Sequence, residues 1–345
     1  MKRYWNEIGI TRGVAIAGVV SIHATSQASV RFSEGSSLHF IYSLLNKWGH
    51  FSVPVFILLS GLALTNRYMG AWNLEGGVVF YKRRWMHVVV PYVLWSFLYQ
   101  ALHLFLYNEE LSVGSMLLQL VSGTAHYHLY FMILIIQYYL LFPIILAALR
   151  PYSRASFLLV AVAVIIQAAA GKVLYEAGWE DKSWLFTTYL AFFVVGCVMG
   201  AAYERWRPIL SKYVPFTLGA ALVLLVVHLV VGMWHLYESD YAGLWVRETI
   251  VYGYSFFAAW FLLGIGQRLN EGRWGMRLLR ALGQASFGIY LMHPALLSLL
   301  DQLPYPSGWS YHAAVAIRFT LALLVSYLLT RFLRGLKGVR ILVGK

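Results

Sequence analysis

The stretch Ile10 to Ser29, ITRGVAIAGVVSIHATSQAS, decides how the rest of the chain is read. With Ile8 and Gly9 before it, the run is apolar over about the twenty residues that a bilayer core requires of a helix. It nevertheless carries two groups that hydrocarbon should reject, Arg12 near its start and His23 toward its far end. Eleven residues separate them, roughly 16 Å along a helix axis and about three turns, so both side chains fall on one face. Ionisable residues inside a span are costly and mark a functional site by default. The structural alternative is that Arg12 snorkels to nearby headgroups while His23 bonds a neighbouring helix.

Composition extends this to the whole chain. Hydrophobic residues make up 60% of the sequence and charged residues only 12%, and the mean hydropathy is +0.65. Several further runs reach spanning length, so the 345 residues are expected to form one all-α polytopic membrane domain, 1–345. Cys197 is the only cysteine, which excludes an intramolecular disulfide. The first apolar run lacks a small-residue cleavage site and is expected to remain as the first span.

Ten spans are predicted, at roughly 8–29, 48–66, 87–107, 128–149, 155–174, 186–204, 213–234, 248–266, 281–300 and 312–332. Ten crossings put both termini on one side. Lys2, Arg3, Arg12, the loops 67–86, 150–154, 205–212 and 267–280, and the C-terminal tail counted from Arg331 hold 21 of the 27 Lys and Arg residues. The opposite loops hold Arg31, Lys47, Lys172, Lys182 and Arg247, and Arg318 lies inside the last span. By the positive-inside rule the termini are cytoplasmic, in a multi-pass protein of the plasma membrane. The acids Glu109, Glu110, Glu180, Asp181, Glu238 and Asp240 lie outside. The net charge of +13 is thus mainly topology and does not point to nucleic acid.

Histidines concentrate in the outer halves and outer loops, where His23, His39, His50, His103, His126, His128, His228, His235, His293 and His312 all fall. No compact His, Cys and carboxylate spacing forms a zinc motif, so no metal is expected. Carboxylates are scarce within the spans, which weakens both a proton-coupled transporter and a Ser-His-Asp hydrolase. There is no Gly-x-Ser-x-Gly elbow and no phosphate-loop or dinucleotide fingerprint.

What remains is a histidine site fed by arginines. A neutral imidazole can take a hydroxyl proton as that oxygen attacks an acyl carbonyl, and a guanidinium forks onto phosphate oxygens. Arg12, Arg83 and Arg84 stand at cytoplasmic depth, although Lys82-Arg83-Arg84 is also what a topology anchor looks like. Ser60-Gly61 in the second span serves helix packing or lines a tunnel. His126 and His128 open the fourth span, where Gln137 is a further polar group. In the ninth span Gly283, Ser286, Tyr290 and His293 form one helical stripe, followed by Pro294, which frees a carbonyl. Arg318 requires a partner, a cavity or an anionic ligand.

Taken in order, these stretches resemble acyltransferase family 3, membrane enzymes that O-acylate glycans and related acceptors. The family's opening arginine, ten residues and histidine are Arg12 and His23. Phe56-Ile57-Leu58-Leu59-Ser60-Gly61 resembles its second-span pattern, with Ile57 where a second Phe is usual. Lys82-Arg83-Arg84 followed by Pro91-Tyr92 resembles its basic cluster and Pro-Tyr. His128-Leu129-Tyr130-Phe131 resembles its His-Leu-Trp-Phe, with Tyr130 replacing Trp. Ser286-Phe287, Tyr290-Leu291 and His293-Pro294 resemble its late Ser-Phe-x-x-Tyr-Leu-x-His.

The resemblance implies an acyl-CoA co-substrate, acetyl-CoA first, entering from the cytoplasm, with no resident cofactor. It implies a glycan or lipid-linked sugar hydroxyl as acceptor, with membrane lipid around the protein. His23 and Arg12 would be catalytic, and Arg83, Arg84, Ser60 and Gly61 would bind the donor. His128, Tyr130, Ser286, Tyr290, His293 and Arg318 would line the substrate path. The chain lacks the esterase-like domain fused in longer members, so it would act alone, as a homo-oligomer, or by handing its acyl group to a separate extracytoplasmic protein. Two other classes use a similar polar interior: an exporter or flippase of polysaccharide or lipid-linked sugar, and a receptor or scaffold. A His23→Gln exchange separates enzyme from exporter, because only the enzyme needs the base.

The topology has a direct check. With Cys197 replaced, a cysteine at Glu110 should react with an impermeant thiol reagent applied from outside, and one at Arg273 should not. The reverse pattern would overturn the orientation and donor entry from the cytoplasm.

Overall fold

The computed structural model describes residues 5–110, 112–149, 156–179, 182–233, 241–269 and 272–344. Lys2, Arg3, Arg150, Arg154, Glu180, Asp181, His235, Glu238 and Asp240 lie outside the described residues. The protein is an all-helical membrane bundle, with no strand among the described residues. Its helices are α1 (Asn6–Arg31), α2 (Ser37–Lys47), α3 (Ser52–Tyr68), α4 (Leu74–Arg84), α5 (Val90–Tyr107), α6 (Val113–Ser122) and α7 (Tyr130–Leu149). They continue with α8 (Ser156–Glu176), α9 (Leu190–Ala201), α10 (Tyr203–Lys212), α11 (Val214–Met233), α12 (Tyr241–Arg268), α13 (Trp274–Leu300) and α14 (Trp309–Gly335).

Each of the ten expected segments is mainly helical over its described residues, yet several helices are longer than hydropathy shows. Eight helices are long and apolar enough to cross a membrane, and nine if the bent pair Phe186–Ala201 and Tyr203–Lys212 counts as one span. That pair turns through 108°. α13 is long enough at 27 residues, but Gln284, Tyr290, His293 and Pro294 dilute its apolar character. Residues 37–47, expected as loop, are α2, which runs without a break into α3 through the 3-10 turn Trp48–Phe51. The Ser36 hydroxyl caps α2 by accepting from the His39 amide at 3.2 Å. α4 likewise fills much of the expected loop 67–86, capped by Asn73, whose side chain accepts from the Gly76 amide at 2.7 Å.

The chain divides into two compact units, one of residues up to Phe56 with Glu204–Arg331, the other of Ile57–Tyr203 with the residues from Phe332 onward. In the first unit α1 is the central helix. A methyl group built on Gly13 would overlap the Leu279 carbonyl, and one on Gly283 would overlap the Gly9 carbonyl. α1 and α13 therefore meet backbone to backbone through the Gly9-x-x-x-Gly13 pair, the close approach that small residues permit where the solvent is lipid. Arg280 Nη1 donates to Asn6 Oδ1 at 3.2 Å below this contact. At the same end of α1, Arg207 Nε donates to the buried Glu7 carboxylate at 2.7 Å, and the Arg207 guanidinium lies 4.4 Å over the Trp5 ring.

In the second unit α3 and α9 pack by the same device. Methyls built on Gly61, Gly196 and Gly200 would strike the carbonyls of Phe193, Leu58 and Leu62 in turn. Tyr68, Trp72, Phe80 and Phe142 form an aromatic cluster beside them, with centroids 5.4 to 6.2 Å apart, Phe80 and Phe142 stacked and the other pairs edge to face. Gln137 on α7 secures the turn before α9, donating to the Trp184 carbonyl at 2.7 Å and accepting from the Phe186 amide at 3.1 Å.

The α1–α13 contact has a measurable consequence. Gly283→Ala should lower the thermal midpoint of the purified protein, costing about 1–3 kcal/mol, because neither backbone can yield without moving its helix. Gly219→Ala on α11 meets nothing within 4 Å and should be neutral or stabilising by up to about 1 kcal/mol. Equal midpoints for the two variants would refute the close-contact account.

Candidate active site on the paired helices

The glycine contact fixes what lies farther along the two helices. His23 is ten residues beyond Gly13, and His293 is ten residues beyond Gly283. Because α1 and α13 run parallel from that contact, equal steps of roughly 15 Å bring the two histidines level. Their ring centroids are 5.4 Å apart, tilted by 34°. Tyr290, nearly one turn earlier on α13, has its ring 6.3 Å from that of His293.

His293 is buried, and its Nδ1 lies 2.9 Å from the Ile289 carbonyl one turn earlier. A carbonyl only accepts, so Nδ1 carries the proton and the neutral ring keeps its lone pair on Nε2. Pro294 supplies no amide to the Tyr290 carbonyl beside it. Arg12 sits half-buried at the glycine contact, one residue before Gly13 and about 16 Å along α1 from His23. Ser286 is half-buried on α13.

The structure also assembles a second histidine group in this unit that spacing did not reveal. His228 Nε2 on α11 lies 3.0 Å from His50 Nδ1, and His50 Nε2 lies 3.3 Å from Asn46 Oδ1. The two histidines are 178 residues apart, so no local pattern could join them. Gly283 stood out in the sequence as part of the ninth-span stripe, but its contact with the Gly9-x-x-x-Gly13 pair of α1 has no local signature.

The remaining expected residues belong to the second unit. Gly61 packs on the Phe193 carbonyl, and Ser60 beside it is half-buried. Arg83 is exposed at the end of α4, while Arg84 lies 5.1 Å over Phe80 and 4.9 Å over Tyr139. His128 and His126 are buried with their Nδ1 atoms 3.2 Å apart, so one ring donates and the other accepts. Both rings lie against Tyr99, and Tyr130 begins α7 just beyond them. Among the described residues no group of three or more His, Cys, Asp or Glu side chains could hold a metal ion.

Arg318 on α14 finds its partners within the first unit. It donates from Nη2 to the Leu300 and Leu303 carbonyls at 2.9 Å each, and its Nε lies 3.5 Å from Asp301 Oδ1. Its guanidinium stacks 3.6 Å over the Tyr305 ring, whose hydroxyl donates to the same Asp301 oxygen at 3.0 Å. The fork of donors thus closes the C-terminal end of α13, seven residues beyond His293.

The family model described as Acyltransferase domain, that of acyltransferase family 3, matches residues 5–331. No curated protein and no solved structure matches the chain.

The clamp on α13 should be visible in alkali. Burial first, then the Asp301 charge and hydrogen bond, push the Tyr305 hydroxyl from its usual 10.0 up to about 12. Between those values the folded protein keeps a proton that the unfolded chain has lost, so stability should fall as pH rises from about 10 to about 12. Tyr305→Phe should flatten that part of the stability curve. An unchanged slope would show that the clamp does not hold the proton.

Proposed function

The chain belongs to acyltransferase family 3, and from that premise we propose that it moves an acyl group, acetyl first, from cytoplasmic acyl-CoA to a glycan or lipid-linked sugar hydroxyl. The observation that carries the chemistry is the imidazole pair, with His23 and His293 at 5.4 Å and the His293 lone pair confined to Nε2. His23 takes the proton of the acceptor hydroxyl as that oxygen bonds to the acyl carbonyl carbon. The tetrahedral adduct collapses, the carbon–sulfur bond breaks, and the proton passes from His23 to the departing thiolate. His293 Nε2 offers a hydrogen-bond acceptor beside the reacting hydroxyl and orients it. Tyr290 and Ser286 line the same helix.

Arg12, Arg83 and Arg84 are assigned to the phosphates and developing charge of the donor, for which the guanidinium fork is suited. Ser60, Gly61, His128 and Tyr130 are assigned to the donor and acceptor path. Arg318 contributes indirectly, by closing the end of the helix that carries His293. Cytoplasmic termini, the plasma membrane and any separate acyl-accepting protein belong to the same proposal.

The test is His23→Gln, with His23→Ala beside it. A positioned general base is worth about 10²–10⁴-fold in rate. Turnover should fall by about that factor while donor binding and the thermal midpoint stay near those of the native protein. A stable, donor-binding variant with near-native transfer would remove His23 from the mechanism and pass its role to His293.

A further inference from the structure

Hydrogen bonds tie α1 to the segment around the end of α2 on either side of His23. Ser21 Oγ donates to the Leu45 carbonyl at 2.6 Å and accepts from Trp48 Nε1 at 3.0 Å. Asn46 Nδ2 donates to the Ile22 carbonyl at 2.8 Å and reaches Thr25 Oγ1 at 3.4 Å. Residues 21, 22 and 25 are therefore held, and His23 lies among them.

The Asn46 bonds also dictate where protons sit. The Ile22 carbonyl only accepts, so the Asn46 amide nitrogen faces it and the amide oxygen faces His50 Nε2. That oxygen only accepts, so His50 carries its proton on Nε2. In the neutral ring Nδ1 is then a lone pair, and His228 Nε2 must donate to it. The last position, His228 Nδ1, is left as a lone pair that meets no donor among the described residues, on a ring only 3% exposed. Every donor in the chain points from α11 toward α1.

We propose that Asn46, His50 and His228 are positioning residues for His23, holding its stretch of α1 in register through one directed run of hydrogen bonds. This rests on His23 being the base. The charged or titratable groups acting on His50 are His228, Lys47, Arg247 and His23, and those acting on His228 include Lys47 and Arg247.

The experiment uses the full chain in lipid nanodiscs with acetyl-CoA and a cell-surface glycan extract. Asn46→Ala and His228→Leu should lower kcat by about 10- to 100-fold with little change in donor KM, the scale of a misplaced catalytic group. His228→Gln keeps a terminal amide donor where Nε2 stands and should recover most of the loss. The pH–rate limb belonging to His23 should move in Asn46→Asp, which deletes the bond to Ile22 and places a carboxylate beside His50. Unchanged kcat and pH profile would overturn the proposal, as would losses that track the thermal midpoint and are not rescued by Gln.

A second readout is independent of activity. Nitrogen-15 spectra of labelled histidine should show His50 and His228 both protonated on Nε2, and Asn46→Ala should abolish the preference at His50. Nδ1 protonation of either ring would refute the run. If His23→Gln proves active, the base assignment fails while these tautomers stand, so the two failures are distinguishable.

Discussion

The contact on which the first unit depends is the one between the backbones of α1 and α13. Lipid tails are as apolar as leucine, so burial from lipid gives helices little reason to associate, and close packing supplies the difference. Gly13 and Gly283 remove the side chains that would keep the axes apart. A contact of backbone on backbone also has little freedom to slide, since a shift by one residue replaces glycine with a larger side chain. Register is thereby fixed at one end of the pair. Rigid helices then carry it roughly 15 Å to the level of His23 and His293.

Polar groups in such a bundle must find partners or be expensive. Arg318 is the plainest case: inside α14 it is satisfied by Asp301, by two carbonyls at the end of α13 and by the Tyr305 ring. Glu7 is paired with Arg207, and Tyr42 meets His312 Nδ1 at 2.7 Å. Two histidine bonds fix a tautomer: His293 Nδ1 donates to the Ile289 carbonyl, and His50 Nε2 donates to Asn46 Oδ1.

The sequence made much of this legible. Arg12 and His23 stood out because charge in an apolar run breaks the pattern, and the stripe of Gly283, Ser286, Tyr290 and His293 placed α13 correctly. What hydropathy hid were helices that are only half apolar. Residues 37–47 contain His39, Asn46 and Lys47 and so resembled a loop, but Ser36 caps them and Tyr42 and Ser43 are buried. The break after Ala201 was invisible because the apolar run continues across it through Ala202. Asn46, His50 and His228 were missed for a topological reason: a group built from α2, the turn after it and α11 has no local signature. Arg318 was legible as a residue in need of a partner, but Asp301 lies seventeen residues earlier, beyond any helical spacing.

The spacing of the central pair also constrains how the proposed transfer handles its proton. Two unit charges 5.4 Å apart repel by about 3 kcal/mol at an effective dielectric constant near 20, so the pair holds one extra proton far more readily than two. His293 already commits its Nδ1 hydrogen to the Ile289 carbonyl, and only its Nε2 remains to answer changes at His23. In the proposed transfer a hydroxyl proton arriving on His23 would enter a neutral pair, in which His293 keeps its lone pair on Nε2. With both rings charged, that lone pair would be gone and the hydroxyl would have no acceptor to orient it. On the proposed mechanism the pair would work as a base in one proton state, and the helix register keeps the two rings 5.4 Å apart.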